Sequence, residues 1–164
     1  MDIRPLTEAD RIWFLDLNQA CLPAVSALTP ATTAKLIDEA GYARLLLKDG
    51  QPLGALLAFW PGADYDSPNF LWFKARYDSF LYIDRVMVAE EARGQGAGVT
   101  LYNDLFAFAK AHADGEAGRV TCEVNSRPPN PGSLRFHESL GFMLVGEQET
   151  EGGAKAVIMM EKRV

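Results

Sequence analysis

The sequence has few of the residues that build disulfide frameworks, metal sites or membrane spans. Its two cysteines, Cys21 and Cys122, stand at unrelated positions, which predicts neither a disulfide framework nor a pair of metal ligands. No metal is therefore expected. No stretch reaches the apolar length of a membrane span, and the N-terminus lacks the charged and apolar regions of a secretory signal. We expect a cytoplasmic protein without a membrane partner.

Clusters of basic residues are also missing. The formal net charge is −6, and Lys and Arg form no run. Because nucleic-acid-binding domains carry basic patches, nucleic acid is not expected as a partner, and the acidic balance favours a neutral or cationic one. A chain of 164 residues that is 48% hydrophobic is long enough to bury a sizeable core. A single domain over residues 1–164 is predicted.

A glycine-rich segment, Arg93-Gly94-Gln95-Gly96-Ala97-Gly98, is the most distinctive feature that is present. It follows an apolar run over residues 81–88 and precedes an amphipathic segment over residues 99–113, so we predict strand, turn and helix. Glycines allow close approach of a ligand to the backbone, and the start of a helix presents unpaired N–H groups and a positive dipole end. The segment therefore predicts an anion site, most naturally for phosphate. A tight connection without a ligand is the alternative.

The commonest phosphate motifs do not fit this segment. A P-loop is excluded because no Gly-Lys-Ser/Thr is present, and no repeated strand-helix-strand pattern favours a dinucleotide fold.

Apolar periodicity, capping residues and turn residues predict the other elements. The helix over residues 99–113 is predicted to end at Gly115 and Gly118. Three other helices are predicted: one that begins after Thr7 and extends through Leu17, one from Pro30 to Ala40, and one from Pro131 that stops at Gly141. Strands are predicted over residues 2–6, 42–48, 53–60, 80–88, 119–125, 142–148 and 156–160. Residues 61–79 are left as a connection that is too long and too aromatic for a hairpin turn.

Two motifs together resemble the GNAT superfamily of acetyl-CoA-dependent N-acetyltransferases. The family pattern Arg/Gln-x-x-Gly-x-Gly/Ala is matched by Arg93, Gly96 and Gly98. The pattern Asn-x-x-Ala-x-x-x-Tyr-Glu-x-x-Gly-Phe is matched over residues 130–142, Asn-Pro-Gly-Ser-Leu-Arg-Phe-His-Glu-Ser-Leu-Gly-Phe. The resemblance implies a single-domain α/β (α+β) GNAT fold. Its mixed, mostly antiparallel twisted sheet has about seven strands, splayed between strands 4 and 5 and flanked by about four helices.

The same resemblance implies acetyl-CoA as co-substrate. The backbone N–H groups of the glycine segment would hold the pyrophosphate, the pantetheine arm would pair with the end of strand 4, and the thioester would lie in the gap beside strand 5. The residues implied for the coenzyme site are Val86, Met87, Val88, Arg93, Gly94, Gln95, Gly96, Ala97, Gly98, Asn130 and Ser133.

Acetyl transfer to an amine requires a deprotonated nucleophile, a donor for the developing oxyanion and a proton for the leaving thiolate. Because an alkyl ammonium has a pKa of about 10.4, a base is useful at neutral pH. Glu123 and Asp84 are the two candidates; the resemblance places a Glu base at the first position in protein N-acetyltransferases. The alternatives are a solvent-facing strand residue for Glu123 and an ion pair with a neighbouring arginine for Asp84.

His137 departs from the motif, because the family usually has a tyrosine there that protonates the thiolate. Ser133, Phe136, His137 and Leu140 share one face of the short helix, so His137 points inward. An imidazole titrates near pH 6.5, which suits an acid or a base. A satisfied core histidine is the alternative.

The acceptor amine is predicted to meet residues 61–79. Acidic and aromatic side chains there are candidates for a pocket that binds a cationic amine: Asp64, Tyr65, Asp66, Trp72, Phe73 and Tyr77. In the alternative, at least two of Phe70, Trp72 and Phe73 are core anchors. The predicted function is acetyl transfer to a small-molecule amine or a peptide N-terminus, with a non-catalytic acyl-CoA-binding module as the rival. A homodimer is compatible with the sequence.

Overall fold

A computed structural model describes residues 1–112 and 118–164. The described chain forms one seven-stranded sheet with the strand order β1-β2-β3-β4-β5-β7-β6. The strands are β1 (Asp2–Pro5), β2 (Tyr42–Lys48), β3 (Gln51–Phe59), β4 (Leu81–Val88), β5 (Arg119–Arg127), β6 (Met143–Thr150) and β7 (Lys155–Arg163). The helices are α1 (Arg11–Ala20), α2 (Pro30–Glu39), α3 (Pro68–Lys74), α4 (Ala97–Ala111) and α5 (Pro131–Ser139). The paired strands are antiparallel except for β4 and β5, which are parallel.

The predicted fold class is confirmed, with one helix more than expected. Helix α3 lies inside the connection over residues 61–79 and begins with Pro68 in its first turn. Helix α4 begins at Ala97, so the last two residues of the glycine segment belong to its first turn and not to the preceding turn. The predicted end of this helix at residues 113 and 115 lies outside the described residues.

Local sequence explains several of these boundaries. Asp49 and Gly50 both have positive φ, 52° and 76°, which matches the right-handed twist of the β2–β3 hairpin. The side chain of Thr29 accepts a hydrogen bond from the backbone N–H of Thr32 and so caps α2, while Asn130 caps α5 by accepting from the N–H of Ser133. Each cap satisfies a donor that would otherwise lack a partner at a helix start.

The sheet buries one apolar cluster on each face. On the face covered by α4 and α5, here called the α4 face, Leu101, Leu105 and Phe142 pack against β2 to β5. On the opposite face, here called the α1 face, Phe14 of α1 and Phe70 of α3 pack against the same sheet. The two faces therefore have separate hydrophobic cores. Within the described parts of the chain, no helix is long and apolar enough to cross a membrane.

Strand β4 has two irregularities that shape the centre of the molecule. Leu57 pairs with Arg85 and Ala58 with Ile83, so Asp84 is an extra residue in β4, as in a β-bulge. Strand β4 also pairs with β5 only at Leu81 and Tyr82. Beyond Tyr82 the two strands diverge and open a gap through the sheet.

Candidate active site

The gap between β4 and β5 continues into a cavity of about 430 Å³. Ten predicted site residues line it: Asp84, Val86, Met87, Val88, Arg93, Gly98, Glu123, Asn130, Ser133 and His137. Four others, Gly94, Gln95, Gly96 and Ala97, lie in the adjoining turn and do not line it. Residues from both faces contribute to the wall, since Cys21 precedes α2 on the α1 face and Phe136 belongs to α5 on the α4 face. The cavity is therefore open to both sides of the sheet.

The glycine turn beside this cavity has the backbone geometry that favours an anion. Gly94 and Gly96 have φ values of 74° and 81°, in the left-handed region that favours glycine. Gly96 is the N-cap of α4, and its carbonyl accepts the first helical hydrogen bond, from the N–H of Thr100 at 3.0 Å. The preceding N–H groups of the helix have no partner within it. Together with the guanidinium of Arg93 in the cavity wall, they favour a bound phosphate.

Gln95 takes a structural part in this turn. Its Nε2 donates to the carbonyl of Glu91 at 2.7 Å, and its Oε1 accepts from Nζ of Lys48 at 3.2 Å. The side chain thus holds the turn against the preceding segment and against β2.

Glu123 is half-buried in the cavity wall on the α1 face. The hydroxyl of Tyr82 donates to its Oε1 at 2.9 Å, while its Oε2 is buried without a hydrogen-bond partner among the described residues. Burial raises the pKa of Glu123 to about 8, against the opposing effect of the Tyr82 hydrogen bond. The negative charge of Asp84 raises this pKa further, and the side chain of Asn69 lowers it. Glu123 therefore changes from acid to carboxylate slightly above neutral pH.

Asp84 lines the same cavity as Glu123, but both of its carboxylate oxygens already accept hydrogen bonds. Its Oδ2 accepts from Nε of Arg85 at 2.7 Å, and both side chains are buried, at 4% and 3% exposure. Its Oδ1 accepts from the hydroxyl of Tyr65. Arg85 in turn donates to Oδ1 of Asn18 at 2.6 Å and to Oγ of Ser26 at 3.1 Å. The structure thus contains the ion pair that was the alternative for Asp84, and neither carboxylate oxygen is free.

His137 is buried, and both ring nitrogens have partners. Nδ1 lies 2.7 Å from the carbonyl oxygen of Ser133, which can only accept, so Nδ1 carries the hydrogen. Nε2 lies 2.7 Å from the hydroxyl of Tyr102, and this hydroxyl must donate because neutral Nε2 has no hydrogen. Burial lowers the pKa of His137. A neutral His137 in this arrangement has no proton to give to a thiolate.

Two tyrosines that contact the predicted catalytic residues were missed from the sequence. Tyr82 lies in the apolar run of β4, and Tyr102 belongs to the apolar stripe of α4. The sequence therefore indicated only a core position for each of them. One signal was available for Tyr102. It follows Gly98 by four residues in the same helix and therefore shares its face, which is the face that lines the cavity.

The side chains of residues 61–79 do not form the single acceptor pocket that was predicted. Asp64, Tyr65 and Asp66 line a second cavity of about 310 Å³, but Trp72, Phe73 and Tyr77 do not. Phe70 and Phe73 are fully buried, as the core-anchor alternative expects. Tyr65 connects this segment to the first cavity through its hydrogen bond to Asp84.

Among the described residues, no group of three or more His, Cys, Asp or Glu side chains is arranged to hold a metal ion.

Comparisons with known proteins agree with the fold. A model of the Acetyltransferase (GNAT) family matches residues 12–142. No curated protein matches the sequence. A ribosomal-protein-alanine N-acetyltransferase from Brucella melitensis has a similar structure, with a TM-score of 0.73, 22% identity and coverage of 100% of both chains.

Two other solved structures show how widely this fold is used. Naa50 from Arabidopsis thaliana, in complex with the bisubstrate analogue CoA-Ac-MVNAL, has a TM-score of 0.73 and 14% identity, covering 98% of this chain and 97% of that one. The GNAT-like decarboxylase GphF, in complex with isobutyryl-CoA, has a TM-score of 0.76 and 17% identity, covering 99% of both chains. Similarity at this level establishes the fold.

Proposed function

Since this chain belongs to the Acetyltransferase (GNAT) family, we propose that it transfers an acetyl group from acetyl-CoA to a primary amine by direct attack in a ternary complex. The match to this family identifies the chain as an N-acetyltransferase. The amine, the attack in one complex and the roles of individual residues are the parts that we propose. The observation that carries them is Oε2 of Glu123, which is buried in the wall of the gap between β4 and β5 and has no hydrogen-bond partner in the part of the chain that the structure describes.

The α4 side of the cavity suits coenzyme A. The glycine turn and Arg93 offer an anion site for the pyrophosphate, because the first N–H groups of α4 have no partner within the helix and favour a phosphate. Strand β4 leaves the edge that faces β5 unpaired beyond Tyr82, so the amides of the pantetheine arm have a strand edge at Val86 to Val88 with which to pair. Asn130 and Ser133 line the same wall from the start of α5.

On the α1 side, we assign the role of base to Glu123. With a pKa of about 8, its carboxylate accepts a proton from an alkyl ammonium more readily than an ordinary glutamate does, directly or through one water. The free amine then attacks the carbonyl carbon of the thioester. The charge of Asp84 helps to raise the pKa of Glu123, and its carboxylate holds Arg85 and Tyr65 in place. In this proposal Asp84 positions these two side chains on the α1 side of the cavity and does not take the proton.

The acceptor class is proposed as a primary amine on a small molecule or a peptide N-terminus. The acceptor approaches from the α1 face, where Cys21, Ala24 and Val25 line the cavity. The Brucella melitensis protein is named for ribosomal-protein alanine, and the Arabidopsis thaliana complex contains a peptide-bearing analogue, which supports including peptide N-termini. A cytoplasmic location and a homodimer remain predictions.

The test is thiol release from acetyl-CoA with a panel of small amines and N-terminal peptides. We expect release that depends on the amine and whose rate rises with pH through about 8, the pKa of Glu123. Glu123→Gln should lower the rate by roughly 100-fold, a typical contribution of a general base. Glu147→Gln, at an exposed carboxylate of β6, is the matched control and should retain the wild-type rate.

Two results would contradict the proposal. Binding of acetyl-CoA without thiol release for any amine would indicate the non-catalytic acyl-CoA-binding module. Full activity of Glu123→Gln on both sides of pH 8 would show that the base lies elsewhere.

A further inference from the structure

The hydroxyl of Tyr102 contacts His137, the position at which the motif tyrosine is absent. Tyr102 lies in α4, whereas the motif position, His137, lies in α5. Both side chains line the cavity, and the hydroxyl oxygen lies 2.7 Å from Nε2 of His137. A tyrosine hydroxyl is thus present beside the motif position, although it comes from a different helix.

The ring of Tyr102 is fixed by its neighbours. It packs edge-on against Phe106, Phe136 and Phe142, with interplanar angles of 70°, 86° and 81°, and the whole residue is only 1% exposed. Aromatic rings prefer such edge-to-face contacts. Because the ring is held on several sides, the hydroxyl oxygen stays at one place in the cavity wall and only its hydrogen can rotate.

We propose that the Tyr102 hydroxyl is the hydrogen-bond donor to the sulfur atom of coenzyme A as the carbon–sulfur bond breaks, with His137 as the positioning residue that holds this hydroxyl. The assignment rests on the proposed function, because it requires a coenzyme A thioester in this cavity. It gives the motif histidine a part in the reaction without requiring that it supply a proton.

The direction of the hydrogen bonds explains why the donor acts only when charge develops. In the resting site the hydrogen of Tyr102 is directed to Nε2 of His137, since Nδ1 already donates to the carbonyl of Ser133. A thioester sulfur is uncharged and competes poorly for it. As the bond breaks, its electron pair moves to sulfur, and a hydrogen bond to a thiolate is charge-assisted and stronger than one to a neutral imidazole. The stabilisation is therefore specific to the transition state and should appear in kcat.

Tyr102 keeps its proton in this step. A thiol has a pKa of about 8.5 and a tyrosine about 10, and burial raises the pKa of Tyr102 further, so transfer of the proton from oxygen to sulfur is unfavourable. The amine, from which Glu123 has already taken one proton, forms its bond to the carbonyl carbon, and the nitrogen then releases its second proton to water. The thiolate leaves with the electron pair of the broken bond and takes a proton from water.

The first experiment measures binding and needs no turnover. Dissociation constants of coenzyme A and of its S-methyl thioether are compared at pH 6 and pH 9 by titration calorimetry. The two ligands differ only at sulfur, where the thiol can ionise and the thioether cannot. In wild type, coenzyme A should gain affinity over the thioether as pH rises, and in Tyr102→Phe this gain should be roughly tenfold smaller, the value of a hydrogen bond to a charged group. An equal gain in both proteins would overturn the assignment, whereas failure of both ligands to bind wild type would refute the coenzyme site itself.

Other titratable groups near Tyr102 act equally on both proteins. Burial raises the pKa of Tyr102, and the charges that Cys122 and Glu123 of β5 carry when they are ionised raise it further. His137 contacts Tyr102 from α5. Burial raises the pKa of the Cys122 thiol, which therefore stays neutral up to pH 9. Glu123 ionises within the range, and its repulsion of a thiolate is present in wild type and variant alike.

The second experiment separates Tyr102 from His137 by steady-state kinetics. Tyr102→Phe should lower kcat roughly 10- to 100-fold with little change in KM for acetyl-CoA. Tyr42→Phe removes another buried tyrosine hydroxyl on the α4 face, one that binds Asp104 and does not line the cavity, and should retain the wild-type kcat. His137→Gln keeps an acceptor for Tyr102 and should retain most of the rate. If His137→Gln lost as much as Tyr102→Phe, the imidazole itself would act on sulfur and the assignment would be wrong.

Discussion

Replacement of Glu123 by Gln should make the protein more stable at alkaline pH. In the folded chain the pKa of Glu123 is raised from 4.5 to about 8, chiefly by burial. Between these values the folded state holds a proton that the unfolded state has released. The contribution of this group to stability is therefore fully present below pH 4.5 and is lost as pH rises to about 8, since stability falls with pH wherever the folded state binds more protons. Glutamine has no such proton to lose.

The size of the effect follows from the pKa difference. A difference of about 3.5 between the folded and unfolded states corresponds to an upper limit of about 5 kcal/mol at pH 9. Glu123 is only half-buried, and water in the cavity solvates part of the charge, so we expect a gain of about 2–4 kcal/mol for Glu123→Gln at that pH. The Tyr82 hydroxyl can still donate to the amide oxygen, so this hydrogen bond is preserved.

Urea denaturation at pH 5 and pH 9 is a suitable assay. We expect the free energies of unfolding of wild type and Glu123→Gln to differ by less than about 1 kcal/mol at pH 5, and the variant to be more stable by about 2–4 kcal/mol at pH 9. Glu147→Gln, which removes an exposed carboxylate, should show no such pH-dependent gain. A difference between Glu123→Gln and wild type that is the same at both pH values would show that Glu123 does not carry a raised pKa.

Three further substitutions test the architecture around the site, each by the free energy of unfolding in urea. Arg85→Met leaves Asp84 buried without its ion-pair partner and should cost about 3–5 kcal/mol; a loss below 1 kcal/mol would mean that water replaces the guanidinium. Gly96→Ala forces a side chain into a conformation with φ of 81° and should cost about 1–2 kcal/mol, so unchanged stability would argue against this turn geometry. Gly146→Ala places a Cβ in steric overlap with Cζ2 of Trp72 and should cost about 1–3 kcal/mol; unchanged stability would show that the indole moves away.

The elements that the sequence predicted well are those with their own local signals. Asp49-Gly50 fixes the β2–β3 hairpin, and Pro30 and Pro131 begin helices where the capping residue precedes them. Helix α3 lacked such clarity. It has seven residues, and its buried positions Phe70 and Phe73 are as consistent with two loop anchors as with a helical face. So short a segment shows too few repeats for a period to be recognised.

The site was predictable where a motif specified backbone shape, and unpredictable where it depends on contacts distant in sequence. Arg93, Gly98 and Asn130, which the resemblance assigned to the coenzyme site, line the cavity, and their contact with a coenzyme stays a prediction. The network that holds Arg85 involves Asn18, which is 67 positions away, and no local pattern reports such a contact. The hydrogen bond of Tyr102 could not be predicted for the same reason, because its partner His137 is 35 positions further along the chain.

The extra residue in β4 has a consequence for the evolution of this chain by insertion and deletion. Before Asp84, odd-numbered residues such as Ile83 face α4, and after it even-numbered residues such as Val86 do so. The odd-numbered and even-numbered positions therefore exchange faces at Asp84. Loss of Asp84 would restore regular alternation and leave Val86 and Val88 on the same face as Ile83. The side-chain pattern of β4 therefore survives this deletion, and what the deletion removes is the carboxylate that binds Arg85 and Tyr65.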